Sequence, residues 1–145
     1  MASELQVDEL KGVTADGNIT ITSEGGSATM QLQQGLTKLW INLNNNYYNG
    51  HTIRDSFNVA STTDNSVGNA DINATNAMGN ANYQVSGFGT GNLSSNTHAF
   101  VFGVPNNSNI ATMTTTALEV EMRYGGTSGK ADAPLYSVSW TGDLA

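Results

Sequence analysis

Along most of the chain, apolar and polar residues alternate with the two-residue period of β-strands. The clearest example is residues 118–124, where Leu118, Val120 and Met122 alternate with charged residues. Short segments of this kind recur at intervals of roughly ten residues. The pattern predicts an all-β protein with an antiparallel β-sandwich or jelly-roll-like domain.

Turn-forming residues separate these segments. Asn49-Gly50, between two strand-like segments, predicts a two-residue β-hairpin turn. Further turns are predicted at residues 16–18, 25–26, 65–69, 87–92, 105–107 and 125–126.

One stretch, residues 30–40, departs from the alternation. Its apolar residues, Met30, Leu32, Leu36, Leu39 and Trp40, are spaced one to four positions apart, with Gly35 between them. This spacing predicts a short helix or turn that leads into a strand.

The chain divides into two regions of different character. Residues 37–145 contain every aromatic residue and form the predicted sandwich domain. Residues 1–36 are too poor in apolar bulk to bury a core of their own, so we expect a β-structured assembly or attachment segment. The predicted sandwich core consists of Trp40, Ile41, Phe57, Val59, Tyr83, Phe100, Phe102, Val120, Met122, Val138 and Trp140.

Composition and charge narrow the choice of partners. The net charge is −7 and only five residues are basic, which argues against nucleic-acid binding through phosphate contacts. Cysteine is absent, so disulfides and thiolate metal sites are excluded. Residues 1–10 have no signal-peptide pattern, and residues 99–104, the longest apolar run, are too short for membrane insertion. We expect synthesis in the cytoplasm.

The sequence contains few candidates for catalysis or metal binding. His51 and His98 are the two histidines, and neither belongs to a recognised catalytic motif. Asp64-Asn65 and residues 71–73 are oxygen-rich but lack the spacing of a calcium loop. Glu119 and Glu121 would share a strand face, which solvation explains. We therefore expect no enzyme activity, no cofactor and no metal site.

A polar and aromatic patch is the best binding candidate in the sequence. Tyrosine offers flat apolar area and asparagine offers directional hydrogen bonds, a combination common in recognition loops. An ordinary polar hairpin is the alternative explanation. The candidate binding residues, which would suit a polar glycan, are Asn44, Asn45, Asn46, Tyr47, Tyr48 and His51.

Four segments of the sequence are LQQGLTKLWIN at 32–42, IRDSFNV at 53–59, TDN at 63–65 and ANY at 81–83. Together they resemble receptor-facing domains of tail-fibre and other virion-surface proteins of marine bacteriophages, so the candidate residues around Tyr47 would face a receptor on the host surface. The acidic start at residues 3–8 is similar to the opening of such fibre proteins, where short strands lead into a three-fold stem.

The resemblance implies a non-enzymatic bacteriophage virion structural protein, made in the host cytoplasm and located in the virion. It implies a homotrimeric, tail-fibre-like component that displays a β-domain for host recognition and contacts other virion proteins. The alternative is a capsid decoration or head-fibre protein clipped to the shell by its N-terminal strands. On this resemblance, the trimer or attachment contact would involve Val7, Ile19, Ile21, Met30 and Leu32.

Overall fold

The computed structural model describes residues 5–13, 19–23, 25–46, 50–90, 100–103, 113–124, 130 and 132–145. Within these ranges the chain forms β-strands and no helix, which confirms the predicted all-β fold class. The strands are β1 (Thr20–Thr22), β2 (Thr29–Gln31), β3 (Thr37–Asn46), β4 (Gly50–Phe57), β5 (Val59–Ser66), β6 (Asn69–Ala74), β7 (Gln84–Thr90), β8 (Phe100–Gly103), β9 (Ala117–Tyr124) and β10 (Leu135–Thr141).

The backbone divides into two compact units, Met1–Leu36 and Thr37–Ala145. The first unit contains one antiparallel hairpin, in which Ile21 of β1 pairs with Met30 of β2. Gly26 has a φ of 71° in the turn and donates its N–H to the Ser23 carbonyl at 2.8 Å. Glycine suits this left-handed position because it has no Cβ to clash. All six strand residues of this hairpin are exposed.

In its described residues, the second unit forms two four-stranded sheets. Sheet I has the strand order β4-β3-β10-β7, and sheet II has the order β5-β6-β9-β8. Every pairing in both sheets is antiparallel. Hairpins β3–β4, β5–β6 and β8–β9 each stay within one sheet, while β10 returns to pair with β3.

The core of the second unit is shared by both sheets. Sheet I contributes Leu39, Ile41, Leu43, Tyr136, Val138 and Trp140, and sheet II contributes Ala70, Ile72, Leu118, Val120 and Met122. Tyr83 stacks on Trp140 with ring centroids 4.8 Å apart, and its hydroxyl donates to the Ala117 carbonyl of β9 at 3.2 Å. Burial raises the pKa of Tyr83 to about 12, since its ionised form would lose hydration.

Asn58 lies where the chain leaves sheet I and enters sheet II. Its φ of 60° is in the left-handed region, which asparagine tolerates better than most residues. Its side-chain amide donates to the Lys38 carbonyl at 2.9 Å, and its Oδ1 accepts the backbone N–H of Asn76 at 2.8 Å. The side chain therefore ties the start of β3 to the segment after β6.

The helix or turn predicted over residues 30–40 is wrong as a helix. Met30 belongs to β2, and a tight turn follows, in which the Gly35 N–H donates to the Leu32 carbonyl at 3.2 Å. Leu39 and Trp40 already belong to β3. The helical spacing arose because the end of one strand, a turn and the start of the next fall in one window.

Two members of the predicted core are also wrong. Trp40 is 37% exposed and Phe57 is 53% exposed. Ile41 is buried on the opposite side of β3 from Trp40, because successive side chains of a strand point to opposite faces. Trp40 and Phe57 pair across β3 and β4, so both lie on the outer face. Phe100 and Phe102 belong to β8, but their side chains lie outside the described part.

Two predicted turns also need correction. Gly50 pairs with Asn46 and is a strand residue, so the predicted hairpin exists but Gly50 is not part of its turn, and Asn49 lies outside the described part. Gly87, Phe88 and Gly89 belong to β7 and are not a turn. At Gly89 a Cβ would collide with the methyl group of Met122, so this glycine allows close packing of the two sheets.

Candidate binding face

Sheet I has an inner face that packs in the core and an outer face that carries three exposed aromatic residues. On β3, Leu39, Ile41 and Leu43 are buried, whereas Trp40 between them is exposed. Phe57 and Phe88, on β4 and β7, are more than half exposed, at 53% and 57%. A large aromatic residue that is exposed on a regular strand is unusual, because burying its apolar area would stabilise the protein.

The strand register puts these aromatic residues on one face. Trp40 pairs with Ser139 of β10, and Ser139 pairs with Ser86 of β7. Two residues along, Ser137 of β10 pairs with Phe88. Residues that pair directly across a sheet point to the same side, so one serine-rich strip separates Trp40 from Phe88.

An open groove of about 360 Å³ lies along this strip. Such a volume falls within the range of ~300–1,000 Å³ that small-ligand sites occupy. Its lining is formed by Trp40, Ser86, Gly87, Phe88, Ser137, Val138 and Ser139. Phe57 lies beside Trp40 on the edge strand but does not line the groove.

The floor of the groove is an ordered set of hydroxyl groups. Ser86 and Ser139 share a hydrogen bond between their Oγ atoms at 2.8 Å, and Asn42 Nδ2 donates to Ser137 Oγ at 2.9 Å. Each hydroxyl can donate once and accept twice, so these bonds leave capacity for a ligand. No ionisable residue lines the groove, and Asp55, paired with Asn42, lies at the edge of the sheet.

The structure separates the residues predicted to bind a receptor. Asn44 is exposed and lies on the same face of β3 as Trp40. Asn45 and Asn46 belong to β3, but their side chains lie outside the described part. Tyr47 and Tyr48 lie outside it as whole residues. His51 pairs with Asn45, one position out of phase with Asn44, and so belongs to the opposite face.

His51 lies against a core residue. Its ring meets Tyr136 edge-on, with centroids 5.9 Å apart, and Nε2 is 3.4 Å from the tyrosine Oη. Its buried Nδ1 has no hydrogen-bond partner in the described structure. Burial, followed by the charges of Asp64 and Asp132, raises the pKa of Tyr136 well above its usual range. His51 therefore packs against Tyr136, on the opposite face of sheet I from Asn44.

The strand acids that could suggest catalysis have structural partners. Glu119 Oε1 accepts Asn69 Nδ2 at 2.5 Å. Glu121 is buried and pairs with Arg123, while its Oε2 lies 2.7 Å from Lys130 Nζ. Burial raises the pKa of Glu121, but the hydrogen bonds and charges of Lys130 and Arg123 outweigh it and hold that pKa below its usual value. Across the described ranges, no cluster of acids and histidines could hold a metal ion.

The residues predicted for trimer or attachment contacts all lie in the first unit. Val7, Ile21 and Met30 are exposed, and Ile19 and Leu32 are half-buried. Ile21 and Met30 pair directly, so they form one apolar spot on the β1–β2 hairpin.

The outer aromatic face was missed by the sequence analysis, although a signal for it was present. Leu39, Ile41 and Leu43 alternate, and this alternation requires Trp40 to point away from them. A core that included both Trp40 and Ile41 was therefore incompatible with one regular strand. Phe88, between two glycines, gave no comparable signal.

Comparison of the chain with known protein families, with curated proteins and with solved structures gives no match. Among the residues that the structure describes, no helix is long and apolar enough to cross a membrane. The function is therefore inferred from the geometry of the two units.

Proposed function

We propose that the protein is a non-enzymatic bacteriophage virion structural protein, a trimeric tail-fibre-like component that displays its β-sandwich for host recognition. In this proposal residues 1–36 assemble the trimer and attach it to other virion proteins. The observation that carries the proposal is the apolar surface of the first unit. Its large exposed hydrophobic residues are Leu5, Val7, Leu10, Val13, Ile21, Met30 and Leu36.

Such a surface favours assembly on physical grounds. Covering apolar area contributes about 25 cal/mol per Å², and a short segment without a core gains most of its stability from partners. The second unit has no such need, because both of its sheets share a complete core. The resemblance of residues 32–42 and 53–59 to virion-surface proteins supports the virion context of the proposal, and the resemblance of residues 3–8 to the opening of fibre proteins supports its three-fold symmetry.

The proposed recognition surface is the part of the outer face of sheet I that lines the groove between Trp40 and Phe88. Exposed aromatic residues on a rigid sheet are suited to binding, since their positions are fixed before a ligand arrives. Asn44 extends this surface along β3. The candidate residues Tyr47 and Tyr48 remain a prediction.

Oligomeric state tests the assembly half of the proposal. Sedimentation equilibrium of the full chain should give a mass three times the 15.2 kDa of one chain. Ile21→Asp and Met30→Asp should each weaken the trimer, because they place a charge within the apolar spot. Thr22→Asp, in β1 next to Ile21, is the matched control and should leave it intact. A stable wild-type monomer at micromolar concentration would contradict the proposal.

Location on the particle tests the virion half. Immunogold labelling of intact phage should mark the tail. Labelling confined to the head would favour the capsid decoration alternative, in which residues 1–36 clip to the shell. Absence of label from purified particles would overturn both versions.

A further inference from the structure

We propose that the groove between Trp40 and Phe88 binds uncharged glycan chains, with one sugar ring stacked on each aromatic residue. This inference rests on the proposed recognition role and names the ligand class of that surface. It concerns a different site from the loop at residues 44–48. The walls of the groove, its floor and its lack of charge each support it.

The aromatic walls are too far apart for adjacent sugar rings and suit two rings of one chain that are separated by a further sugar unit. Trp40 on β3 and Phe88 on β7 flank β10, and they lie in register rows two residues apart. Neighbouring strands are ~4.8 Å apart and two residues span ~6.8 Å, so the two residues are offset by about 10 Å across and 7 Å along the sheet. A glycan chain that crosses β10 diagonally would therefore place one of its sugar units on Trp40 and another on Phe88. The apolar face of a pyranose packs well on such rings.

The floor supplies the polar half of sugar recognition. Ser86, Ser139 and Ser137 lie between the aromatic walls, and each has hydrogen-bonding capacity beyond the bonds already made. Sugar hydroxyls also donate and accept, so each can replace the water that these serines would otherwise bind. The floor is held in place by β10, the central partner of β3 and β7.

The charge of the groove selects among glycans. Its lining has no ionisable side chain, while the whole chain has a net charge of −7. An acidic polysaccharide would meet repulsion and find no cation in the groove to pair with. A neutral glycan avoids both costs.

The exposed aromatic area is too small for a protein partner. Trp40, Phe57 and Phe88 expose between a third and three-fifths of their surfaces. With about 150–250 Å² available per aromatic side chain, that amounts to roughly 300 Å² in total, against the ~450–520 Å² of non-polar area that each partner contributes to a stable interface. A second copy of the chain is therefore a poor occupant.

Titration calorimetry of the full chain with neutral oligosaccharides tests the inference. The panel consists of hexamers with gluco-, manno-, galacto-, xylo- and N-acetylglucosamine units, and an oligogalacturonate serves as the acidic probe. We expect at least one neutral hexamer to bind and the oligogalacturonate not to bind. Trp40→Ala and Phe88→Ala should each weaken binding by about tenfold or more.

Phe57→Ala is the matched control. Phe57 is as exposed as Phe88 and lies on the same face, but it does not line the groove. Its loss should change affinity less than about threefold. Equal losses in all three variants, or none in Trp40→Ala and Phe88→Ala, would overturn the location of the site.

Sedimentation of the same samples separates this inference from the proposed function. A wild-type trimer that binds no neutral hexamer would overturn the glycan site and leave the trimeric structural role intact. Glycan binding by a monomer would support the site and contradict the trimer. Dissociation of the trimer in Phe88→Ala, without glycan binding by the wild type, would show that the face packs against a second copy.

Discussion

The two faces of sheet I are built from the same four strands but differ in what their side chains contact. The inner face is aliphatic and aromatic and merges with sheet II in one core, where Trp140 is fully buried. The outer face combines serine and asparagine with three aromatic residues that are between a third and three-fifths exposed. The inner face therefore stabilises the fold, and the outer face is available for recognition.

The two tryptophans provide the strongest way to break this comparison. Trp140→Ala should destabilise the protein by about 3–5 kcal/mol, because it removes a buried ring that stacks on Tyr83. Trp40→Ala should cost less than about 1 kcal/mol, because its ring is already partly hydrated. Urea unfolding followed by circular dichroism measures both values. Equal losses would mean that the outer face also belongs to the core.

Asn58 tests how the chain passes from sheet I to sheet II. Asn58→Gly loses the bonds to Lys38 and Asn76 but keeps the left-handed backbone, and should cost about 1–3 kcal/mol. Asn58→Ala should cost about 1 kcal/mol more, because a Cβ is strained at a φ of 60°. Thermal unfolding compares the two variants. If alanine is tolerated better than glycine, backbone conformation does not matter at this crossing.

Acid should lower the stability of the protein by protonating Glu121 of sheet II, and we expect this effect to be smaller than those at Trp140 and Asn58. The pKa of Glu121 is lowered in the folded protein, so its stabilisation is complete above the unfolded pKa of about 4.3 and is lost as pH falls through the folded pKa. Unfolding titrations below pH ~4.3 should therefore show a steeper loss of stability in the wild type than in Glu121→Gln. Parallel curves would show that the ion pairs with Arg123 and Lys130 do not respond to acid in this way.

The smallest effect on stability is expected on the outer face itself. Phe57→Ser and Phe88→Ser should each change the free energy of unfolding by no more than about 1 kcal/mol, since both side chains are more than half exposed. Val138→Ser, on the inner face of β10, is the contrasting change and should cost several times more. Chemical denaturation measures all three. A loss of several kcal/mol at Phe88 would contradict its assignment to a free surface.

The sequence predicted the strands well where alternation was regular. Leu118, Val120 and Met122 became the inner face of β9, and Val138 and Trp140 of the predicted core became part of the inner face of β10. Prediction failed where a turn joined two strands within a helical window, as at Gly35, and where glycines served close packing, as at Gly89. Local pattern cannot reveal the second case, because the deciding partner, Met122, is distant in sequence.

The candidate site was less accessible to prediction than the fold. The predicted core included Trp40 and Phe57, because large apolar side chains are usually buried. The outer face depends on bringing β3, β10 and β7 side by side, strands that are separated by tens of residues. Asn44 and His51 illustrate the same limit, since strand phase places them on opposite faces despite their nearness in sequence.

The fluorescence of Trp40 and Trp140, the only two tryptophans of the chain, tests the central claim most directly. In Trp140→Phe the remaining Trp40 should emit at long wavelength, be quenched by acrylamide, and shift towards the blue when a neutral oligosaccharide is bound. In Trp40→Phe the remaining Trp140 should emit at short wavelength, resist quenching and ignore the sugar. Two tryptophans that are equally protected and equally insensitive to sugar would contradict the division between a stabilising inner face and a binding outer face.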